Sequence, residues 1–137
     1  MNLIKNVKSL NLPLGQYIIA GSGALEALGL REAQDIDVAV IPNLYKKLRE
    51  SGEWKEETHY GKVFLFKEGV TVFPTLDWED FPVTAEEAIA AALMIEGVPF
   101  LNLKHLRQFK KALGREKDFK DIELIDEHER RRTQNPA

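Results

Sequence analysis

The stretch IAGSGALEALGLREAQDIDVAV, residues 19–40, reads as strand, small-residue turn, short helix, loop and strand. The run QYIIA (residues 16–20) is apolar and rich in strand formers, which gives the first strand. Gly21-Ser22-Gly23 interrupts it, and Ala24, Leu25, Ala27 and Leu28 then recur at helical spacing until Gly29 closes the helix. Residues 35–41 (DIDVAVI) alternate as a strand does, and Pro42 stops them. A strand, helix and strand in so short a span place the chain among domains in which helices pack on a sheet.

The flanks extend the pattern. Leu3, Ile4, Val7 and Leu10 share one helical face, and Pro13 and Gly15 end that helix. Residues 44–51 read as a helix with Asn43 as its N-cap. KVFLFK (62–67) and VTVFPT (70–75) flank Glu68-Gly69 and read as a hairpin, with Pro74 ending the second strand. The remainder reads as helical. Thr84 and Glu87 form a capping box before a helix that runs to Gly97. Asn102 caps a helix closed by Gly114, and a last helix covers about 115–131, with Phe119, Ile122 and Ile125 as its buried stripe. The expectation is one α/β (α+β) domain over residues 1–137, with its core at about 14–125. It has a mixed sheet of four to five strands, helices packed on it, a helical C-terminal segment and a frayed tail at 130–137.

Composition narrows the chemistry. The absence of cysteine among 137 residues removes disulfides, thiolate metal sites and thiol nucleophiles, and three histidines are too few for a histidine-rich metal centre. Any metal is therefore a hard ion on carboxylates. Nineteen Lys and Arg against 22 Asp and Glu leave a net charge of -3, without the basic footprint of a general nucleic-acid binder. No run approaches 18 apolar residues and the N-terminus lacks the signal-peptide pattern, so a cytoplasmic protein without membrane partners is expected.

Two features of the opening stretch carry chemistry. Gly21-Ser22-Gly23 sits between a strand and a helix start, where glycine lets a phosphate approach free backbone N–H groups. Taken alone, the same turn is a tight bend with Ser22 as N-cap. Asp35 and Asp37 flank Ile36 and in a strand point to the same side. Two like charges there repel unless a cation lies between them, and oxygen donors of this kind suit Mg²⁺ with a substrate's phosphates. Without a metal, Arg31 is the nearest cation to neutralise one of them. A phosphate cradle beside a carboxylate pair points to phosphoryl or nucleotidyl transfer.

These residues resemble the signature of the nucleotidyltransferase superfamily related to DNA polymerase β. Its pattern is Gly-Gly or Gly-Ser after an apolar residue, then about ten residues, then Asp-apolar-Asp. Here that is Ala20-Gly21-Ser22 and Asp35-Ile36-Asp37-Val38. Ala24-Leu25, Arg31, and the later Lys110, Gly114-Arg115, Lys117-Asp118 and Asp121-Ile122 are similar to small prokaryotic members: minimal nucleotidyltransferases, antibiotic nucleotidyltransferases and toxin-type relatives. The likeness spans roughly residues 17–125.

The resemblance implies transfer of a nucleoside monophosphate from a nucleoside triphosphate to a hydroxyl acceptor, with Mg²⁺ or Mn²⁺. It makes Asp35 and Asp37 catalytic metal ligands, puts Gly21 and Ser22 on the triphosphate, and sets Lys110 and Lys117 beside the nucleotide. The family's third acid belongs on the strand at 70–75, near Phe73, where this chain has none. Asp77, past Pro74, is the candidate third ligand; otherwise the set is incomplete and the module binds a nucleotide or a protein without turnover. A homodimer that completes the cleft, or a small helical protein in a toxin–antitoxin pair, are the partners this implies.

Other polar residues have plainer readings. Glu116 with Lys120 and Lys117 with Asp121 are spaced for ion pairs along an exposed helix, with Asp118 in its first turn. His59, His105 and His128 have no acid or nucleophile at a telling spacing.

Overall fold

The computed structural model describes residues 2–134. Among these the chain runs α1 (Leu3–Ser9), β1 (Tyr17–Ala20), α2 (Gly23–Ala27), β2 (Ile36–Val40), α3 (Pro42–Glu50), β3 (Lys55–His59), β4 (Lys62–Lys67) and β5 (Val70–Phe73). It continues through α4 (Ala85–Ala90), β6 (Leu93–Ile95), β7 (Val98–Phe100), α5 (Leu103–Leu113) and α6 (Glu116–Gln134). The mixed sheet has seven strands in the order β3-β4-β5-β2-β1-β7-β6, not four to five. β1 pairs antiparallel with β2 and parallel with β7, and β2 pairs parallel with β5.

Two of the added strands, β6 and β7, come from the span expected to continue as one helix to Gly97. That helix ends at Ala90, and Glu96-Gly97, both at positive φ (49° and 82°), turn a hairpin with Ile95 opposite Val98. The third, β3, joins β4 through Tyr60-Gly61, also at positive φ (55° and 74°), with His59 opposite Lys62. This two-residue geometry follows the right-handed twist of the strands.

Capping fixes several helices. The Thr84 and Glu87 box closes the start of α4. Asn102 accepts the His105 N–H at 2.8 Å and starts α5, which ends at Gly114 in the left-handed region (φ 65°). α3 begins two residues early. Ile41 is its N-cap and Pro42 fills the first turn, where its missing N–H costs nothing, so Asn43 lies inside the helix. The tail is likewise more ordered than expected: α6 continues to Gln134, so residues 130–134 are helical, and 135–137 lie outside the described residues.

The core gathers Ile18, Ile19, Leu25, Val38, Leu65, Phe100, Leu106 and Ile125 between the sheet and its helices. On α6 the buried face is Asp118, Asp121, Ile122 and Ile125, while Phe119 is 50 % exposed. Two carboxylates thus hold places expected to be apolar. No helix among the described residues is long and apolar enough to cross a membrane.

Candidate active site

β2 supplies the carboxylates. Asp37 is its second residue, and exposed Asp35 immediately precedes the strand. Lateral partners in a sheet share a face, so the row through Asp37 reads Ala20, Asp37, Thr71, Phe66. The position beside Asp37 on β5 is therefore Thr71, with Phe73 two residues further along and opposite Ala39.

Across β1, the Gly21 turn packs against the acid. A Cβ on Gly21 would lie 2.5 Å from Oδ2 of Asp37, and the backbone there has φ +62°. Both facts favour glycine. Gly21→Ala is expected to cost about 1–3 kcal/mol from the backbone conformation and the collision. Thermal melts would register it, and an unchanged melting temperature would contradict this packing.

Asp37 is half-buried. Burial first, and the Asp35 charge second, push its carboxyl up to about 6, against the opposing pull of Lys110, Arg115 and Lys117. Among the described residues no hydrogen bond holds its ionised form.

Next to this pair lies a dense ionic cluster. Lys110, on α5, is 4 % exposed; its Nζ donates to Ser22 Oγ at 3.0 Å, lies 2.8 Å from Oδ2 of Asp121, and is 3.6 Å from Oδ1 of Asp118. Arg31 does not neutralise the Asp35 and Asp37 pair. Its Nε and Nη2 donate to the two oxygens of Asp121 at 2.7 and 2.8 Å, and Nη2 also donates to Ser22 Oγ. Arg115 donates to Asp118 from its guanidinium at 2.7 and 3.1 Å and from its backbone N–H at 3.1 Å. Burial alone would raise both aspartates, but these hydrogen bonds outweigh it and hold Asp118 and Asp121 below the usual carboxylate range. Asp121 therefore makes no exposed pair with Lys117. Ser22 precedes α2 as its N-cap residue but makes no side-chain cap bond, because its oxygen is taken by the two cations.

Gly21, Ser22, Asp35, Asp37, Asp77, Lys110 and Lys117 all line one cleft of about 1320 Å³, together with Arg31, Arg115 and Asp121. Aromatic side chains also line it. Phe64 and Phe73 meet edge to face at 5.6 Å, and Trp78 and Phe109 do so at 5.4 Å. Asp77 shares the cleft without closing on the Asp pair: among the described residues no three His, Asp or Glu side chains converge closely enough to hold one metal ion. The chain has left β5 by Pro74, before Asp77 is reached. The sequence reading missed Asp118 and Asp121 as buried members of the cluster. The run Lys110, Arg115, Asp118, Asp121 was the one signal for them.

No protein-family model, curated protein or solved structure matches the chain.

Proposed function

We propose that this chain is a minimal nucleotidyltransferase, with a nucleotidyltransferase-like sheet, that moves a nucleoside monophosphate from a nucleoside triphosphate to a hydroxyl acceptor. The observation that carries the reading is the convergence of Gly21-Ser22, Asp35 and Asp37, and the cations Arg31 and Lys110 on one cleft. Ser22 and Lys110 among them are 88 residues apart in sequence. A phosphate cradle, a carboxylate pair and buried positive charge are the three things such a transfer needs.

The donor set fits a hard divalent cation. Two carboxylates stand close enough for Asp35 to raise Asp37, and all available ligands are oxygens. Asp35 and Asp37 would hold Mg²⁺ or Mn²⁺, which when bound supplies Lewis-acid stabilisation of phosphoryl charge. The chain's own residues orient the nucleotide. Ser22 meets the phosphates with the charge of Arg31 and Lys110 behind it, Lys117 and Arg115 add positive charge on the side facing Asp37, and the aromatic lining offers a surface for the base or the acceptor.

Incubation with α-labelled nucleotides and Mg²⁺ or Mn²⁺, alone and with hydroxyl acceptors, tests the reading. Labelling that persists after Asp35→Asn and Asp37→Asn together would sink it. The gap beside Asp37, where β5 has Thr71, favours a second reading. In it the module binds a nucleotide, or a partner such as a small helical protein or a second copy, without turnover. Tight nucleotide binding with no label transfer would support this alternative. Asp77→Asn separates two versions of the site. We expect it to lower transfer by about tenfold, the low end for a group outside the ligand set. A loss of a hundredfold or more would make Asp77 the third ligand.

A further inference from the structure

We propose that Asp121 is a positioning residue: through Arg31 and Lys110 it fixes the Ser22 hydroxyl as a hydrogen-bond donor toward a bound polyphosphate. The inference rests on the reading that a triphosphate lies at the Gly21-Ser22 turn, and it names what aims that turn.

Arg31 donates Nε to Oδ1 and Nη2 to Oδ2 of Asp121, and its Nη1 donates to the Glu32 carbonyl at 2.6 Å. Every nitrogen of its planar fork is engaged, so the guanidinium has one orientation. The Lys110 ammonium is oriented by Oδ2 of Asp121, the same oxygen that receives Arg31 Nη2. One carboxylate therefore sets two cations at once, and both cations donate to Ser22 Oγ. A hydroxyl has two acceptor lone pairs and one proton. With both lone pairs taken, Ser22 can act further only as a donor, and its residue lines the cleft.

Charge points the same way. Within the hydrogen-bonded cluster Arg31, Lys110 and Arg115 outnumber Asp118 and Asp121 by one positive charge, and Asp37 is the next acid that faces Lys110 and Arg115. Lys110 and both aspartates are almost fully buried, where such a surplus is poorly screened and favours an anion.

Net charge and positioning predict opposite signs for Asp121→Asn. Asp121→Asn removes a negative charge, which on Coulombic grounds strengthens anion binding. On the positioning argument it weakens binding, because the asparagine amide turns an N–H toward one of the two cations and releases the hold on Ser22.

The test is calorimetric binding of inorganic tripolyphosphate to the full chain, without divalent metal and with folding followed by thermal melts. Asp121→Asn and Ser22→Ala are each expected to weaken binding by about tenfold. The double variant is expected to be no weaker than the worse single one, since both act on one hydrogen bond. Binding by Asp121→Asn as tight as wild type or tighter, or losses that multiply in the double variant, would overturn the proposal. If Asp121→Asn does not fold, Arg31→Lys keeps the charge but loses the fork, and unchanged binding there would overturn it equally. Wild-type chain that binds tripolyphosphate and shows these losses, yet never transfers label, keeps the inference and removes the transfer reading. Wild-type chain that does not bind tripolyphosphate overturns the inference and leaves the transfer reading to the label assay with divalent metal.

Discussion

Asp37→Asn is expected to abolish nucleotide transfer and, in the absence of divalent metal, to raise the melting temperature at pH 7.5. The two effects share one cause. Asp37 has its carboxyl pushed up to about 6 by burial and by Asp35, whereas the unfolded chain titrates it near the ordinary value of about 3.9. Between those two values the folded chain binds more protons than the unfolded one. Stability therefore falls as pH rises through that window, and the full cost stands above about pH 6. A shift of about two units corresponds to about 3 kcal/mol. Asparagine carries no such charge. The difference in melting temperature between variant and wild type is expected to vanish below about pH 4, to grow from pH 4 to 6, and to level off above. Each kcal/mol is worth a few degrees in a domain of this size. Mg²⁺ is expected to raise the melting temperature of wild type but not of the variant, because only the wild-type pair gains from a bound cation. Transfer is expected to fall by at least about a hundredfold, the scale for losing a group that stabilises charge in the transition state. A variant that melts below wild type at pH 7.5, or that gains as much from Mg²⁺, would refute the account of Asp37 as a strained acid awaiting a cation.

The parts of the site that lie close together in sequence were the parts the sequence disclosed. Gly21, Ser22, Asp35 and Asp37 fall within 17 residues, and strand spacing alone places both acids on one side. The contacts of Ser22 with Lys110 and of Arg31 with Asp121 span 88 and 90 residues, and no local pattern encodes them. They also explain the misread stripe on α6. Asp118, Asp121, Ile122 and Ile125 follow the 3.6-residue period faithfully. Two aspartates occupy it because cations from distant elements satisfy them, so a reading by hydrophobicity chose Phe119 instead.

The sheet shows the same division. The hairpin at Glu68-Gly69 was legible, yet Glu96-Gly97 carries the same pair of residues and the same pair of positive φ angles. The difference lies upstream, where Ala90-Ala91-Ala92 imitates a continuing helix and masks the three-residue strand β6. β3, with the sequence KEETH, escaped for another reason. It is an edge strand whose charged residues discourage pairing with other chains, and in doing so they erase the apolar alternation that marks a strand.

Lys110→Met is expected to be the most destabilising single change in the cleft, by about 3 kcal/mol or more, although it preserves the length and the apolar stem of the side chain. Lys110 is 5 % exposed along its side chain, and its ammonium serves Asp121, Ser22 and Asp118 together. Removing it leaves two buried carboxylates short of a partner, and breaking a buried pair in this way costs about 3–5 kcal/mol. Asp118 and Asp121 are held below the usual carboxylate range. Their contribution to stability is therefore present above the unfolded value of about 3.9 and lost as pH falls through their folded values. Without Lys110 those folded values rise, so acid unfolding is expected to begin at higher pH, and the urea midpoint at pH 7 is expected to drop. Asp121→Asn is expected to cost less in the Lys110→Met background than in wild type, because a carboxylate that has lost one partner is less worth keeping. Unchanged urea and acid midpoints in Lys110→Met would show that Arg31 and Arg115 suffice for the two acids. The cleft thus has halves of opposite thermodynamic sign. At Lys110 the fold and the proposed anion site want the same charge, so losing it harms both. At Asp37 the raised carboxyl is expected to cost the fold stability when ionised, and the cation proposed for the pair would offset that cost.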